Sequence, residues 1–174
     1  NAGILNTLLA PMVAGGQVIV GPMFSPLSAF DFWRPILSVN VNIIVITPTI
    51  ASSLCRVTRD FDSAKAALAN MTDVHSTSGN LTGALRRRFY EMFDCALQDC
   101  YGLTELGGAL TLQDSERAIV EDNAGFLLPE LEIDLRPLSG GANQLFIRSP
   151  FSMIGYITEN GWESPLPEDG FMNT

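Results

Sequence analysis

Short strand-like runs, each handing over to a helical stretch, constrain this chain more than any other feature. Residues 17–20 read Gln-Val-Ile-Val, 42–47 Asn-Ile-Ile-Val-Ile-Thr, 73–76 Asp-Val-His-Ser and 95–100 Cys-Ala-Leu-Gln-Asp-Cys. The apolar ones lack polar alternation, which suits strands covered on both faces. Helices fill the gaps. Residues 4–13 read as a buried helix stopped by Gly15-Gly16, and Ser25-Pro26 opens a helix to about residue 37. Pro48 opens another to about residue 57, and residues 63–69 and 82–93 carry two more. Strands alternating with helices require right-handed crossovers and a parallel sheet with helices on its faces.

The pattern changes after about residue 113. Gly125, Pro129, Pro137 and Gly140-Gly141 punctuate short alternating segments. Residues 131–135 and 144–148, joined across 139–142, predict an antiparallel hairpin with one wet face. The expected fold class is therefore α/β. A mainly parallel sheet flanked by helices spans residues 1–113, and a small antiparallel, β-rich partial barrel follows over 114–174.

Charge and composition exclude several functions. A net charge of −9 argues against nucleic-acid binding, which needs a basic face. The one basic run, Arg86-Arg87-Arg88, reads as the solvated face of a helix. Charged residues make up only 17%, against about 25% in an ordinary soluble domain, so much surface is expected to be buried or normally covered. Residues 1–30 carry no charge, yet Pro11, Gly15-Gly16 and Gly21-Pro22 break them into pieces too short for a membrane span. They contain no basic n-region of the kind a signal peptide carries, and a signal peptide is not expected within them. Cys55, Cys95 and Cys100 have no metal-ligand spacing and read as reduced, buried thiols of a cytoplasmic protein. His75 is the only histidine, and no Gly-x-Ser-x-Gly elbow accompanies it, so a hydrolase reading has no support.

The chemistry concentrates in Asp99-Cys100-Tyr101-Gly102-Leu103-Thr104-Glu105-Leu106-Gly107-Gly108. Glycines let backbone approach a ligand, an aromatic face can stack on a base, and a carboxylate can hold Mg²⁺ beside phosphate oxygens. Taken singly, Glu105 reads as a capping or surface carboxylate, Tyr101 as packing and the glycines as turn residues. Their joint placement after a buried strand changes that reading. In open parallel sheets ligands gather at the carboxyl ends of strands, and residues 76–80 form a second small-residue loop at that edge. Met12, Ile50 and Leu106 read as core.

Tyr101-Gly102-Leu103-Thr104-Glu105 resembles the Tyr-Gly-x-Thr-Glu signature of the adenylate-forming superfamily: acyl-CoA synthetases, luciferases and peptide-synthetase adenylation domains. The resemblance extends along the chain. It includes Leu9-Ala10-Pro11-Met12-Val13-Ala14-Gly15-Gly16, Val45-Ile46-Thr47-Pro48-Thr49, Ser76-Thr77-Ser78-Gly79 and Gln144-Leu145-Phe146-Ile147-Arg148-Ser149-Pro150. Met153-Ile154-Gly155-Tyr156 and Asp169-Gly170-Phe171-Met172-Asn173-Thr174 continue it. The resemblance implies a ligase in which a carboxylic acid attacks the α-phosphate of ATP, leaving an acyl-adenylate for a thiol acceptor, CoA above all. It further implies that Tyr101 stacks on adenine, Thr104 contacts phosphate and Glu105 binds Mg²⁺. Thr77, Ser78 and Gly79, with Cys100, Gly102 and Leu103, would line the nucleotide crevice. Asn1, Gly79, Gly102, Gly107 and Gly108 would border the acyl pocket.

Thr77-Ser78 stand where the family has glycines, and no Lys-bearing phosphate loop precedes them. The expected Gly-Asp after Thr174 and a later lid domain with its lysine also fall outside the chain, which is expected to be a piece of a longer protein with N- and C-terminal parts missing. Leu103, where amino-acid-activating domains carry proline, favours acyl-CoA synthetases. An amino-acid-activating domain, and a non-catalytic α/β interaction module that kept the scaffold, stay open. The chain on its own is expected to be inactive in adenylation; carboxylate-dependent pyrophosphate release from it, measured with a coupled assay, overturns that expectation.

Overall fold

The computed structural model describes residues 2–113, 123–164 and 167–174. Its first segment runs through three abutting helical pieces: α1 (Ala2–Ile4), a π-helical turn (Leu5–Leu9) and α2 (Ala10–Val13). In the wide turn the Ala10 N–H reaches back five residues to the Leu5 carbonyl, just ahead of Pro11, which has no N–H to give. The helix expected over 4–13 is thus present, but it is not buried. Ile4, Leu9, Met12 and Val13 are all exposed, so Met12 is no core residue. The strand expected over 17–20 does not form: Ile19 and Val20 lie 53% and 83% exposed, with no strand partner among the described residues. An apolar run becomes a strand only where a neighbour supplies its ladder and its cover, and here neither is supplied.

The parallel sheet consequently has three strands rather than four, in the order β1 (Ile43–Ile46), β2 (Asp73–Ser76), β3 (Gln98–Asp99). Ile46 lies opposite Ser76, and Ser76 opposite Asp99. β1 is an edge, with Ile43 52% exposed, and not the doubly covered strand expected. The run expected over 95–100 shrinks to two residues because its pairing with β2 begins only where Gln98 meets His75 and β2 ends at Ser76.

Helices cover the sheet, and their starts follow local chemistry. Ser25 and Ser28 bond reciprocally ahead of a 3₁₀ turn (Ser28–Asp31), which passes into α3 (Trp33–Ser38), so the helix expected from Ser25 is broken in two. Thr47 caps α4 (Pro48–Val57) by accepting the Ile50 N–H at 3.2 Å, with Pro48 at the first helical position. Asp60 caps α5 (Phe61–Ala69) through the Ser63 N–H, which holds its carboxyl below the usual range. Thr82 caps α6 (Gly83–Phe93), and Asp94 ends it in the left-handed region at φ 54. Buried positions in α4 and α6 recur at three- and four-residue spacing, Ala51, Leu54 and Cys55 on one and Gly83, Arg86, Phe89 and Phe93 on the other. The aromatic centre is Trp33, Phe89 and Phe93, with Phe89 and Phe93 centroids 4.7 Å apart and the Trp33 indole donating to Thr58 Oγ1.

Arg86 corrects the reading of the basic run as a solvated face. It is 5% exposed and donates to Gln113 Oε1 at 2.6 Å, Asp99 Oδ2 at 3.2 Å and the Asn123 carbonyl at 2.9 Å. Arg88 donates to the Cys55 carbonyl.

Short ladders follow the sheet: β4 (Gly102–Leu103) with β5 (Gly108–Ala109), and β6 (Thr111–Leu112) with β7 (Phe126–Leu127). The expected hairpin forms as β8 (Glu132–Pro137) and β9 (Asn143–Arg148), antiparallel with Ile133 opposite Ile147. β10 (Tyr156–Thr158) pairs with β11 (Gly161–Glu163), and β12 (Met172–Asn173) joins the far side of β9. Leu106, Leu110, Ile147 and Met172 form a second buried cluster here. The three cysteines are free thiols, two of them buried, and no helix among the described residues is long and apolar enough to cross a membrane.

His75 sits inside the sheet, paired in register with Val45 and Gln98. Burial lowers its pKa, opposed by Asp73, whose Oδ1 lies 3.8 Å from Nε2. Its folded value therefore lies below the unfolded one of about 6.5, and in that window the unfolded chain binds the extra proton. Stability contributed by neutral His75 is whole above about pH 6.5 and falls as pH drops below it. Because this is the chain's only histidine, the urea midpoint should fall between pH 7 and pH 5.5 in the wild type and change far less in His75→Gln. Equal slopes in the two proteins, followed by circular dichroism, would falsify the assignment.

Candidate functional site

The carboxyl ends of three neighbouring strands deliver three loops to one edge. β1 runs into Thr47 and Pro48, β2 into Thr77, Ser78 and Gly79, and β3 into Cys100 and Tyr101. Backbone bonds lock them together: Thr77 N–H donates to the Ile46 carbonyl at 3.0 Å and Cys100 N–H to the Ser76 carbonyl at 2.9 Å. Burial pushes the Cys100 thiol's pKa up, opposed by the neighbouring Thr77 side chain. The two loops singled out in the sequence thus leave adjacent strands.

Ser78 adopts φ 64, a left-handed conformation that favours glycine and is uncommon for other residues. The serine accepts the backbone of a glycine position. Gly79 lies against the Pro48 ring, where a Cβ would stand 3.4 Å from Cδ.

The second loop is built on glycines that have no substitute. β4 and β5 approach so closely that a Cβ on Gly102 would stand 2.1 Å from the Gly108 carbonyl oxygen. Between them Thr104–Leu106 makes one 3₁₀ turn, closed by Gly107 at φ 95. A Cβ on Gly107 would meet Phe151 Cβ at 2.5 Å, and Gly108 at φ 117 faces Asn6 Oδ1. Tyr101 is half-buried against the second cluster, and its carbonyl accepts from both Leu110 and Thr111. Thr104 is exposed, Leu103 half-buried and Leu106 buried.

Glu105 is half-buried and lines a cleft of about 400 Å³ with Leu103, Phe146, Tyr156, Phe171 and Thr174. Its Oε1 accepts the Tyr156 hydroxyl at 3.0 Å, and its backbone carbonyl accepts the Met153 N–H at 2.7 Å. Among the described residues no group of three or more His, Cys, Asp or Glu side chains could hold a metal. Glu105 is the carboxylate lining the cleft, an oxygen donor of the kind Mg²⁺ takes alongside substrate phosphates.

Three residues escaped the reading of the sequence. Asn6, on the π-helical turn, faces Gly108; the Asn1 that was assigned to the acyl pocket lies outside the described residues. Ser149 donates to the Leu106 carbonyl at 3.0 Å, and Tyr156 reaches Glu105. Each lies far from the motif in sequence. The runs around Ser149 and Tyr156 both carry a signal in the resemblance, and neither signal names a partner.

The AMP-binding enzyme family model matches residues 1–157. The 2,3-dihydroxybenzoate-AMP ligase of Bacillus subtilis is 28% identical over 178 residues, covering 96% of this chain and 31% of that protein. Among solved structures, the acyl-CoA synthetase of Brucella canis superposes with a TM-score of 0.78 at 20% identity, over 99% of this chain and 33% of that one. The Bacillus subtilis o-succinylbenzoate coenzyme A synthetase, in complex with ATP and magnesium ion, gives 0.66 at 18% identity, over 96% and 37%. The chain spans 27% to 31% of the length of the curated relatives it matches. From the strand edge to the glycine-built loop, this is a chain of the AMP-binding enzyme family.

Proposed function

We propose that this chain carries one wall of the nucleotide site of an ATP-dependent, AMP-forming acid–thiol ligase. The observation that carries the reading is the pairing of a glycine-built turn, Thr104–Leu106, with a carboxylate in a cleft beside adjacent strand ends. Family membership and the ligands named for its relatives support the same assignment.

In this reading a carboxylate oxygen of the acid bonds to the α-phosphorus of ATP. The bond to the oxygen bridging to the β-phosphate breaks, and pyrophosphate leaves. The protein supplies no nucleophile; its residues position and neutralise. Tyr101 offers a ring to adenine, and Thr77, Ser78, Gly79, Cys100, Gly102 and Leu103 line the nucleotide crevice with small side chains and backbone. Thr104 donates its hydroxyl to a phosphate oxygen. Glu105 carries Mg²⁺, which when bound offsets charge between the phosphates. Gly79, Gly102, Gly107 and Gly108 border the acyl pocket through their backbone, the space beside Gly102 and Gly107 being taken by the Gly108 carbonyl and Phe151. The sulfur of a thiol, for which CoA is proposed, then bonds to the acyl carbon; the acyl C–O bond to phosphate breaks, AMP leaves, and the thiol proton passes to solvent.

The test is ATP–pyrophosphate exchange dependent on an added carboxylic acid, measured on the full-length product of the reading frame that encodes this chain. Exchange is expected in the wild type, and Glu105→Gln should lower it about a hundredfold without loss of folded structure. Wild-type rates in that variant would sink the assignment of Glu105, and the absence of exchange with any acid would sink the ligase reading.

A further inference from the structure

The segment from Ser149 to Tyr156 lies as a strap across the motif. Ser149 Oγ donates to the Leu106 carbonyl, Phe151 packs into the space that Gly107 leaves, and Met153 N–H donates to the Glu105 carbonyl. These contacts already fix strap to motif through backbone and small groups. The Tyr156 hydroxyl does something different: it touches the Glu105 carboxylate itself, at Oε1 and 3.0 Å.

Tyr156 is aimed by its own hairpin. It pairs with Glu163 at the start of β10, and the preceding Gly155 sits so close to β11 that a Cβ would stand 2.6 Å from the Glu163 carbonyl oxygen and 2.8 Å from the Trp162 ring. Backbone packing therefore fixes where Tyr156 leaves the hairpin, and its hydroxyl bond to Glu105 is what holds the phenol. A glutamate side chain otherwise turns about three bonds, and a cation that binds it must freeze them. A phenol donating to a carboxylate is a charge-assisted bond, which orders the group in advance.

We propose that Tyr156 is a positioning residue for Glu105, holding Oε1 so that the carboxylate is ordered before a cation arrives and Oε2 is left to meet it. The proposal rests on the reading of Glu105 as the metal-bearing carboxylate.

The test uses the full-length product of the reading frame that encodes this chain, labelled with ¹³C-glutamate, and Mn²⁺ together with ATP as the probe. Exposed Glu159 is the internal reference, and Glu105 is assigned by its loss in Glu105→Gln. Without metal, the Glu105 side chain should be more ordered than that of Glu159 by ¹³C relaxation; equal mobility overturns the proposal with no variant needed. On titration, the Glu105 carboxyl resonance should broaden at lower Mn²⁺ than that of Glu159. In Tyr156→Phe the Mn²⁺ required should rise about three- to tenfold, the worth of one hydrogen bond to a charged group, while the fold is kept. Tyr156→His, which restores an N–H donor on a ring, should recover part of that shift. An unchanged titration in Tyr156→Phe overturns the role of Tyr156 and leaves Glu105 standing. If Glu105 in the wild type broadens no sooner than Glu159, the reading of Glu105 falls and the role of Tyr156 falls with it.

Discussion

Arg86 places a guanidinium inside the protein, where it ties together segments that the chain brings from far apart. One terminal nitrogen bonds Gln113, and the other bonds Asp99 and the Asn123 carbonyl. Gln113 closes the circuit: its Oε1 also accepts the Asp99 N–H, and its Nε2 donates to the Asn123 carbonyl. A buried pair of this kind adds little net stability beyond what apolar packing would give, but removing one partner strands the other in a poor solvent. Asp99 shows both sides of that balance, its pKa raised by burial while Arg86 works to lower it. What the network contributes is register. It holds helix α6, the end of β3 and the chain beyond β6 in one arrangement, and Tyr101 lies two residues past Asp99.

That position explains why the motif serves two neighbourhoods. Its start belongs to the strand edge, through the bond from Cys100 N–H to the Ser76 carbonyl. Its end belongs to the second cluster, through Leu106 and Leu110, which pack with Ile147 and Met172. The turn between them cannot be loosened, because Gly102 and Gly108 lie in backbone contact and Gly107 leaves the space that Phe151 fills. Thr104 and Glu105 are thus held on a rigid turn rather than on a mobile loop, which suits catalysis by positioning.

What could be read from the sequence was the local chemistry. Pro48 after Thr47, Thr82 ahead of α6, and the alternation in residues 131–135 and 144–148 each specify a structure within a few residues, and each formed. The strand edge as a ligand-gathering line followed from the alternation of elements. What could not be read depends on partners distant in the chain. The apolar runs at 4–13 and 17–20 predict burial because apolar side chains seek cover, yet Val13 and Val20 stand more than 80% exposed. Hydrophobicity records a demand for burial and does not say what meets it. The basic run departs from expectation at one position, for the opposite reason: Arg87 and Arg88 are exposed, but nothing local reveals that Gln113, Asp99 and Asn123 converge on Arg86.

The same distinction separates the two halves of the candidate site. Tyr-Gly-x-Thr-Glu is legible because one short stretch carries the ring, the hydroxyl, the carboxylate and the glycines that the chemistry needs. The strap is illegible because its contacts with the motif, from Ser149, Met153 and Tyr156, span 43 to 51 residues, and two of the three end on motif carbonyls, which carry no sequence identity at all. A carbonyl accepts from any suitable donor, so such contacts leave only the shape of the backbone to specify them. The Tyr156–Glu105 bond is the exception, a side chain meeting a side chain. Phe151 against Gly107 is a contact of shape, whereas the Tyr156 bond reaches the carboxylate itself, so that through it the strap can influence the chemistry of the carboxylate and not merely its position in the fold.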